Sequence, residues 1–436
     1  MHGMKHPLRT CWATVAGVVV LALVSGGCRG GTSEEEGKGG VRTDVGVTAE
    51  ACPNAVNKDN GCIYLGVISD LTEGPFAALA VPITDAQKAF WTRVNTAGGI
   101  GGYDIDVTTY VRDNKYNPQI HNQVYQEIKG KVLALAQTLG SPTTAAIIGD
   151  LKASKVVAAP ASWTSAWAFE DVIIESGTNY CFESMNSVDY AVQQFGSKSV
   201  MAVHYPGDYG DDAAAGTRIA AERNKLPFTD VETQQGPDNQ AGAIDKIVSG
   251  KPDLVILTTG PTDAAVVIGQ AAARKYQGHF IGTSPTWNPA LLKSPAATAI
   301  KALYLQSGPW QTFSADTPGH RAMREALGTV KQANDGYTSG WAWSYPLKAA
   351  LQKAVDNKDL TRDGLLKAVK ELESVDYEGM LPTGSGNYKG DPGAAVVKQS
   401  LISKPDEKGA AGVTTIKDFF VGPTAQQYTM DKPCFR

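Results

Sequence analysis

The sequence predicts an α/β fold: two doubly wound, Rossmann-like lobes with parallel sheets. Three observations carry this. Short apolar, β-branched runs alternate with longer helical patterns from residue 62 to about 310, the mark of parallel sheets covered by helices. A strand–loop–helix unit occurs nearly twice, at Ser141-Pro142-Thr143-Thr144-Ala145-Ala146-Ile147-Ile148 and at Gly260-Pro261-Thr262-Asp263-Ala264-Ala265-Val266-Val267. After each copy the next strand ends in a Ser/Thr/Trp loop. A repeat of this kind implies two similar halves, and 436 residues suffice for two cores.

The first residues read as an export signal. Lys5 and Arg9 precede the apolar run 12–24, and Ser25-Gly26-Gly27 stand before Cys28. The run is too short for a comfortable membrane span. Residues 1–27 are therefore expected as a signal peptide. Cys28 resembles the lipidated Cys of a bacterial lipobox, with Ser25 where that pattern prefers Leu. Residues 28–61 are expected as a lipidated Cys and flexible tether, because 29–51 are rich in Gly and charge. Beyond Cys11 and Cys28 lie Cys52, Cys62, Cys181 and Cys434. Four Cys in an exported chain read as two disulfides, with three pairings open. Cys52–Cys62 closes a short loop, and Cys181–Cys434 then ties the C-terminus to the middle of the chain.

Each element follows from its pattern. Residues 63–68 form a buried strand, and 76–95 a helix with Ala78, Ile83, Ala86, Phe90 and Val94. The turn 97–102 leads to a strand at 105–111, a helix over 117–129 and a strand over 132–139. Pro in each repeat copy suits a helix start, and Thr or Asp after it can cap the free N–H groups. Strands follow at 156–159 and 173–176, then helix 188–195, strand 199–204 and helix 211–225. Strand 254–259 precedes the second copy, and 280–282 and 301–310 are further strands. Residues 318–376 read as two helices, with Trp341 and Trp343 in the core, and the tail as short strands.

One stretch is specific. IYLGVISDLTEGPF, then VNTAGGIGGYDIDV, then VRDNKYNPQIHNQVYQEI resembles the opening of type I periplasmic binding proteins, in the branch of the Leu/Ile/Val-binding proteins of ABC importers. The resemblance covers about residues 62–375. It implies lobe 1 at 62–180 with 311–378, lobe 2 at 181–310 with 379–436, and a three-stranded hinge. It implies a monomeric extracytoplasmic binding protein, held to the outer face of the cytoplasmic membrane by lipid, with an ABC permease as partner. It implies no cofactor. A ligand sensor of the same fold is the alternative, and a hydrolase a remote one.

By resemblance a small organic ligand is gripped between the lobes. Ser141, Thr143, Thr144, Ser162, Trp163 and Thr164 are expected from the first lobe. Tyr209, Thr262, Asp263, Thr286 and Trp287 are expected from the second. Hydroxyls and backbone N–H groups at a helix start can hold a carboxylate, although the same hydroxyls serve as helix caps. Relatives that bind amino acids place an acid in the second lobe, and the loop 283–288 has none. Asp263 or Glu73 are the substitutes. An aromatic or aliphatic acid or amide suits the aromatic loops as well as an amino acid does.

Other classes find little support. A net charge of −4 gives no basic face for nucleic acid. No phosphate loop, C-x-x-C, H-E-x-x-H or G-x-S-x-G stands in the sequence, and the six His are scattered. No metal site and no catalysis are expected.

Overall fold

The computed structural model describes residues 35–435; the expected signal peptide and Cys28 lie outside the described residues. Among the described residues no helix is long and apolar enough to cross a membrane. Two main sheets organise the body, each with helices against it.

The first sheet centres on Gly61–Ser69, the run CIYLGVIS whose residues are buried on both faces except Tyr64. Tyr103–Asp106, Val111–Asp113 and Ala134–Leu139 pair with it in parallel, and Ala158–Ala161 adds beyond Ala134–Leu139. The second sheet runs Phe228–Glu232, Val200–His204, Leu254–Thr258, His279–Gly282, Tyr304–Gly308, all parallel. It ends in Ser400–Pro405 and Val413–Phe420, both antiparallel. Strands buried on both faces carry near-continuous apolar runs, which is why these were legible. The fold class expected from the sequence is the one observed.

Residues 35–61 differ from the expected tether. Arg42–Thr43 pairs with Asp359–Leu360, and Val47–Thr48 with Gly61–Ser69. Val41 and Val47 are buried in the first core. The Asp104 carboxylate anchors the segment that follows. It accepts from the Val56 and Asn57 backbone N–H groups at 2.8 and 2.9 Å and from the Asn57 and Asn60 side chains at 2.8 Å. Two valines and an aspartate 48 residues away outweigh the Gly-rich composition.

Further differences concern helix breaks. The first repeat copy makes a short helix, Ser141–Ala145, followed by Ile148–Ser154, whereas the second copy runs unbroken over Pro261–Ala273. Residues 318–376 hold four helices, Pro318–Leu327, Asp335–Ala342, Ser344–Asp356 and Arg362–Lys370. The expected strand 301–310 is helix Ala297–Leu303 and then strand Tyr304–Gly308.

Three segments link the halves, and they meet. Thr178 bridges Val397, and a Cβ on Gly177 (φ 91°) would stand 2.9 Å from Pro309 Cβ. Met380 and Leu381 share the apolar cluster of Val41 and Val47.

Disulfides join Cys52 to Cys62 and Cys181 to Cys434. The second spans 253 residues, so it constrains the unfolded chain strongly. Replacing both its cysteines, Cys181→Ser with Cys434→Ser, is expected to lower the unfolding free energy by about 2–4 kcal/mol in urea titration. An unchanged midpoint would contradict the bond.

Candidate ligand-binding site

The carboxyl ends of the parallel strands converge on one cavity, as open α/β sheets require. Ala134–Leu139 ends in Leu139, Gly140 and Ser141. Ala158–Ala161 ends in Ala161, Ser162 and Trp163. From the second sheet, Tyr209 follows Val200–His204, Ser284, Pro285 and Trp287 follow His279–Gly282, and Trp310 follows Tyr304–Gly308. The first helix adds Phe76, Leu79 and Ile83, and the helix Asp335–Ala342 adds Asp335, Gly336 and Ser339. Tyr116, Tyr180 and Trp343 complete the lining. The cavity encloses about 570 Å³, its open mouth included.

Three glycines make this geometry possible. Gly140 has φ 96°, and a Cβ there would stand 2.5 Å from Thr143 Oγ1 and 2.6 Å from the Tyr116 ring. Gly336 and Gly340 let their helix lie against Ala77–Thr96. Cβ atoms at these positions would meet the carbonyl oxygens of Leu79 and Ile83 at 2.6 and 2.2 Å. That close approach carries Asp335 and Ser339 to the cavity.

Aromatic rings form most of the wall. Trp163 packs between Trp310, at 4.9 Å between ring centroids, and Trp343, at 4.8 Å, while its Nε1 donates to Ser176 O at 2.8 Å. Tyr180 meets Trp163 at 5.8 Å and Tyr209 at 4.8 Å. Trp287 stacks on Tyr304 and donates to Ala411 O at 3.0 Å. Burial raises the phenol pKa of both Tyr180 and Tyr209, so neither ionises.

Five residues expected from the sequence line the cavity: Ser141, Ser162, Trp163, Tyr209 and Trp287. The other six stand apart from it. Thr143 Oγ1 donates to Leu139 O and to Gly140 O, and Thr144 Oγ1 lies 2.9 Å from Thr138 Oγ1; both serve the turn. Thr164 is buried before a short 3₁₀ turn. Thr262 is exposed. Thr286 Oγ1 donates to Leu257 O at 3.0 Å. Asp263 accepts from Tyr205 OH at 2.6 Å, Gly236 N at 2.8 Å and Gln240 Nε2 at 3.2 Å, so its carboxylate is committed internally. Glu73, the other candidate acid, is exposed and pairs with Lys115 at 3.3 Å.

Sequence reasoning missed two acids. Asp335 lines the cavity, and burial pushes its carboxyl up to about 7 against the pull of the Phe313 backbone N–H. Glu183, on the helix Tyr180–Phe195, reaches the loop that carries Ser284. It accepts from the Ser284 backbone N–H at 2.8 Å and from Ser307 Oγ. Burial pushes it up to about 8. Nothing local in the sequence separates these acids from helix-start charges. Trp343, expected in the core beside Trp341, is buried in that core and lines the cavity as well.

A model of the periplasmic binding protein family matches residues 63–408. The chain belongs to that family. This periplasmic binding protein has the type I fold, and the solved structures similar to it include substrate-binding proteins of ABC transporters. A fatty acid ABC transporter substrate-binding protein from Thermomonospora curvata is 28% identical, over 92% of this chain and 100% of that one, with a TM-score of 0.83. A branched chain amino acid ABC transporter protein from Thermus thermophilus with bound valine is 15% identical, over 84% and 98%, with a TM-score of 0.71. A leucine binding protein from Thermotoga maritima is 15% identical, over 83% and 99%, with a TM-score of 0.69. No curated protein sequence matches.

Glu183 gives the binding protein a pH signature of its own. Its folded pKa stands above the ordinary 4.5, so the folded state holds the proton more tightly than the unfolded one. The stabilisation that Glu183 contributes is then full below pH 4.5 and declines as pH rises to about 8. Glu183→Gln is expected to remove this decline. Relative to wild type it gains on the order of 2–4 kcal/mol between pH 5 and pH 8.5 in urea titration. Parallel stability curves for the two proteins would contradict the assignment.

Proposed function

We propose that this protein is the ligand-capturing component of an ABC importer, binding a small organic molecule with an apolar body between two lobes that close on it. The observation that carries this is the cavity itself, walled by rings from both halves at the carboxyl ends of their strands. The lobes are residues 62–180 with 311–378, and 181–310 with 379–436, and residues 41–61 pack on the first. The adjoining passages near 177, 309 and 397 form the hinge, and closure driven by binding presents the form that a permease recognises. Anchoring by lipid at Cys28 keeps the protein on the outer face of the cytoplasmic membrane. The protein acts as a monomer and does no catalysis.

Ligand chemistry follows from the wall. Eight aromatic side chains with Leu79, Ile83 and Leu139 favour an aliphatic or aromatic body, as the fatty-acid relative from Thermomonospora curvata also suggests. Sugars and highly polar solutes fit poorly.

A thermal-shift panel tests the reading with aliphatic and aromatic carboxylic acids, their amides, branched-chain amino acids and sugars. A ligand at 100 times its Kd adds about 2.7 kcal/mol, a rise of a few degrees. Apolar-bodied compounds are expected to shift the melting, and Trp163→Ala to weaken them at least about tenfold, in line with the loss of a buried aromatic contact. A response to sugars alone, or binding indifferent to Trp163→Ala, overturns the proposal.

A further inference from the structure

A second cavity shares none of the aromatic cavity's lining. It encloses about 1030 Å³, its open mouth included. Three stretches of chain build it: 167–177, the end of the helix Arg362–Lys370, and 386–397. Gly177 and Val397 belong to two of the passages between the halves, so an occupant stands beside them. Trp167, Ile173, Val369, Tyr388 and Val396 give the cavity a largely apolar wall.

Five charged side chains line it, and four of them are matched. Glu170 pairs with Lys152 at 2.5 Å, Asp171 with Lys370 at 2.5 Å, and Lys389 with Glu373 at 2.6 Å. The fifth is Glu175, whose carboxylate has no ion pair among the described residues. Its Oε1 is buried without a hydrogen-bond partner, while the residue as a whole keeps some accessible surface. The segment that carries it is held in place. Tyr388 OH donates to the Glu175 backbone carbonyl at 2.6 Å, and Tyr377 OH to Ser176 Oγ at 3.0 Å. Burial first, and then the Asp212 charge, push the Glu175 carboxyl well above its ordinary range. A buried carboxyl oxygen left without a partner is costly and rare, so its neighbourhood is the place to look for a ligand.

We propose that this cavity is a second ligand site, which takes a small organic ammonium compound with its cationic head on Glu175 and its carbon body on the apolar wall. The other lining charges are already balanced in pairs, so one positive charge is what the site lacks. An ammonium donates to the carboxylate in charge-assisted hydrogen bonds, which are roughly twice as strong as neutral ones. An anion would set like charge against Glu175. A bare metal ion fits poorly, since hard cations such as calcium take about six to eight oxygen ligands. Among the described residues no group of three or more His, Cys, Asp or Glu could hold one. The proposal stands on this cavity alone and does not depend on the reading of the aromatic one.

Calorimetric titration with hexylamine and with the neutral hexanol tests this on the wild type, Glu175→Gln and Asp335→Asn. Melting curves check that each variant is folded. Glutamine keeps the size of the side chain and removes its charge. Hexylamine is expected to bind wild type and to weaken about tenfold or more in Glu175→Gln, while any binding of hexanol changes by less than about threefold, because only the amine loses a charged partner. Asp335→Asn, which removes the carboxyl of the aromatic cavity, should leave hexylamine within about threefold of wild type, since its charge is not the one engaged. No binding of hexylamine, or equal affinity for wild type and Glu175→Gln, overturns the proposal. So does a loss confined to Asp335→Asn, which places the amine in the aromatic cavity. Equal losses of hexylamine and hexanol in Glu175→Gln also overturn it, because the residue then shapes the wall and does not hold a charge.

Discussion

The packing of Trp163 between Trp310 and Trp343 is the contact on which the site depends. Each ring belongs to a different part of the chain: a strand-end loop of the first half, a passage between the halves, and the helix-rich return. Aromatic pairs at these spacings add roughly 0.5–1.5 kcal/mol beyond their buried area. The Trp163 indole also donates to Ser176 O, one residue from Gly177 in another passage. A ligand on this wall therefore touches the machinery that joins the halves. In the proposed reading, binding and hinge position are coupled through this one cluster of rings.

The electrostatics are equally constrained. Two buried acids, Asp335 and Glu183, stand on or beside the cavity with no cationic side chain among its described lining. Such groups are held close to neutrality by desolvation. Glu183 spends one oxygen on Ser284 and Ser307, tying the helix Tyr180–Phe195 to a wall loop. Each acid keeps one oxygen without a partner in the protein, and of the two only Asp335 lines the cavity. The loop 283–288 carries no acid, and among the described residues the carboxyl on the cavity wall is that of Asp335, from a helix start that the sequence marks only as a cap.

Much of the fold was legible, because buried parallel strands leave continuous apolar runs such as CIYLGVIS and LVILT. The loops that end them were legible for the same reason, and Trp163 and Trp287 stood out as large apolar residues in polar loops. Hydroxyls were less informative. Ser141 faces the cavity, while Thr143 and Thr144, next in the chain, bond back to the turn. Sequence does not distinguish those fates, since a Ser or Thr serves either. Asp335 became visible only through long-range packing, where Gly336 and Gly340 admit the helix to within contact of Ala77–Thr96. The N-terminal segment hid in the same way. Val41 and Val47 are lone apolar residues in a Gly-rich stretch, and their burial is supplied by partners far along the chain.

The central claim is that one aromatic cavity holds the ligand. A crystal structure of the protein with octanoate or a compound identified by the panel tests it most directly. The account predicts the ligand in this cavity with its body against the Trp163 ring, at contact distances of about 4 Å. A ligand seated instead beside Glu175 in the separate cavity that also includes Gly177 and Val397 would contradict it.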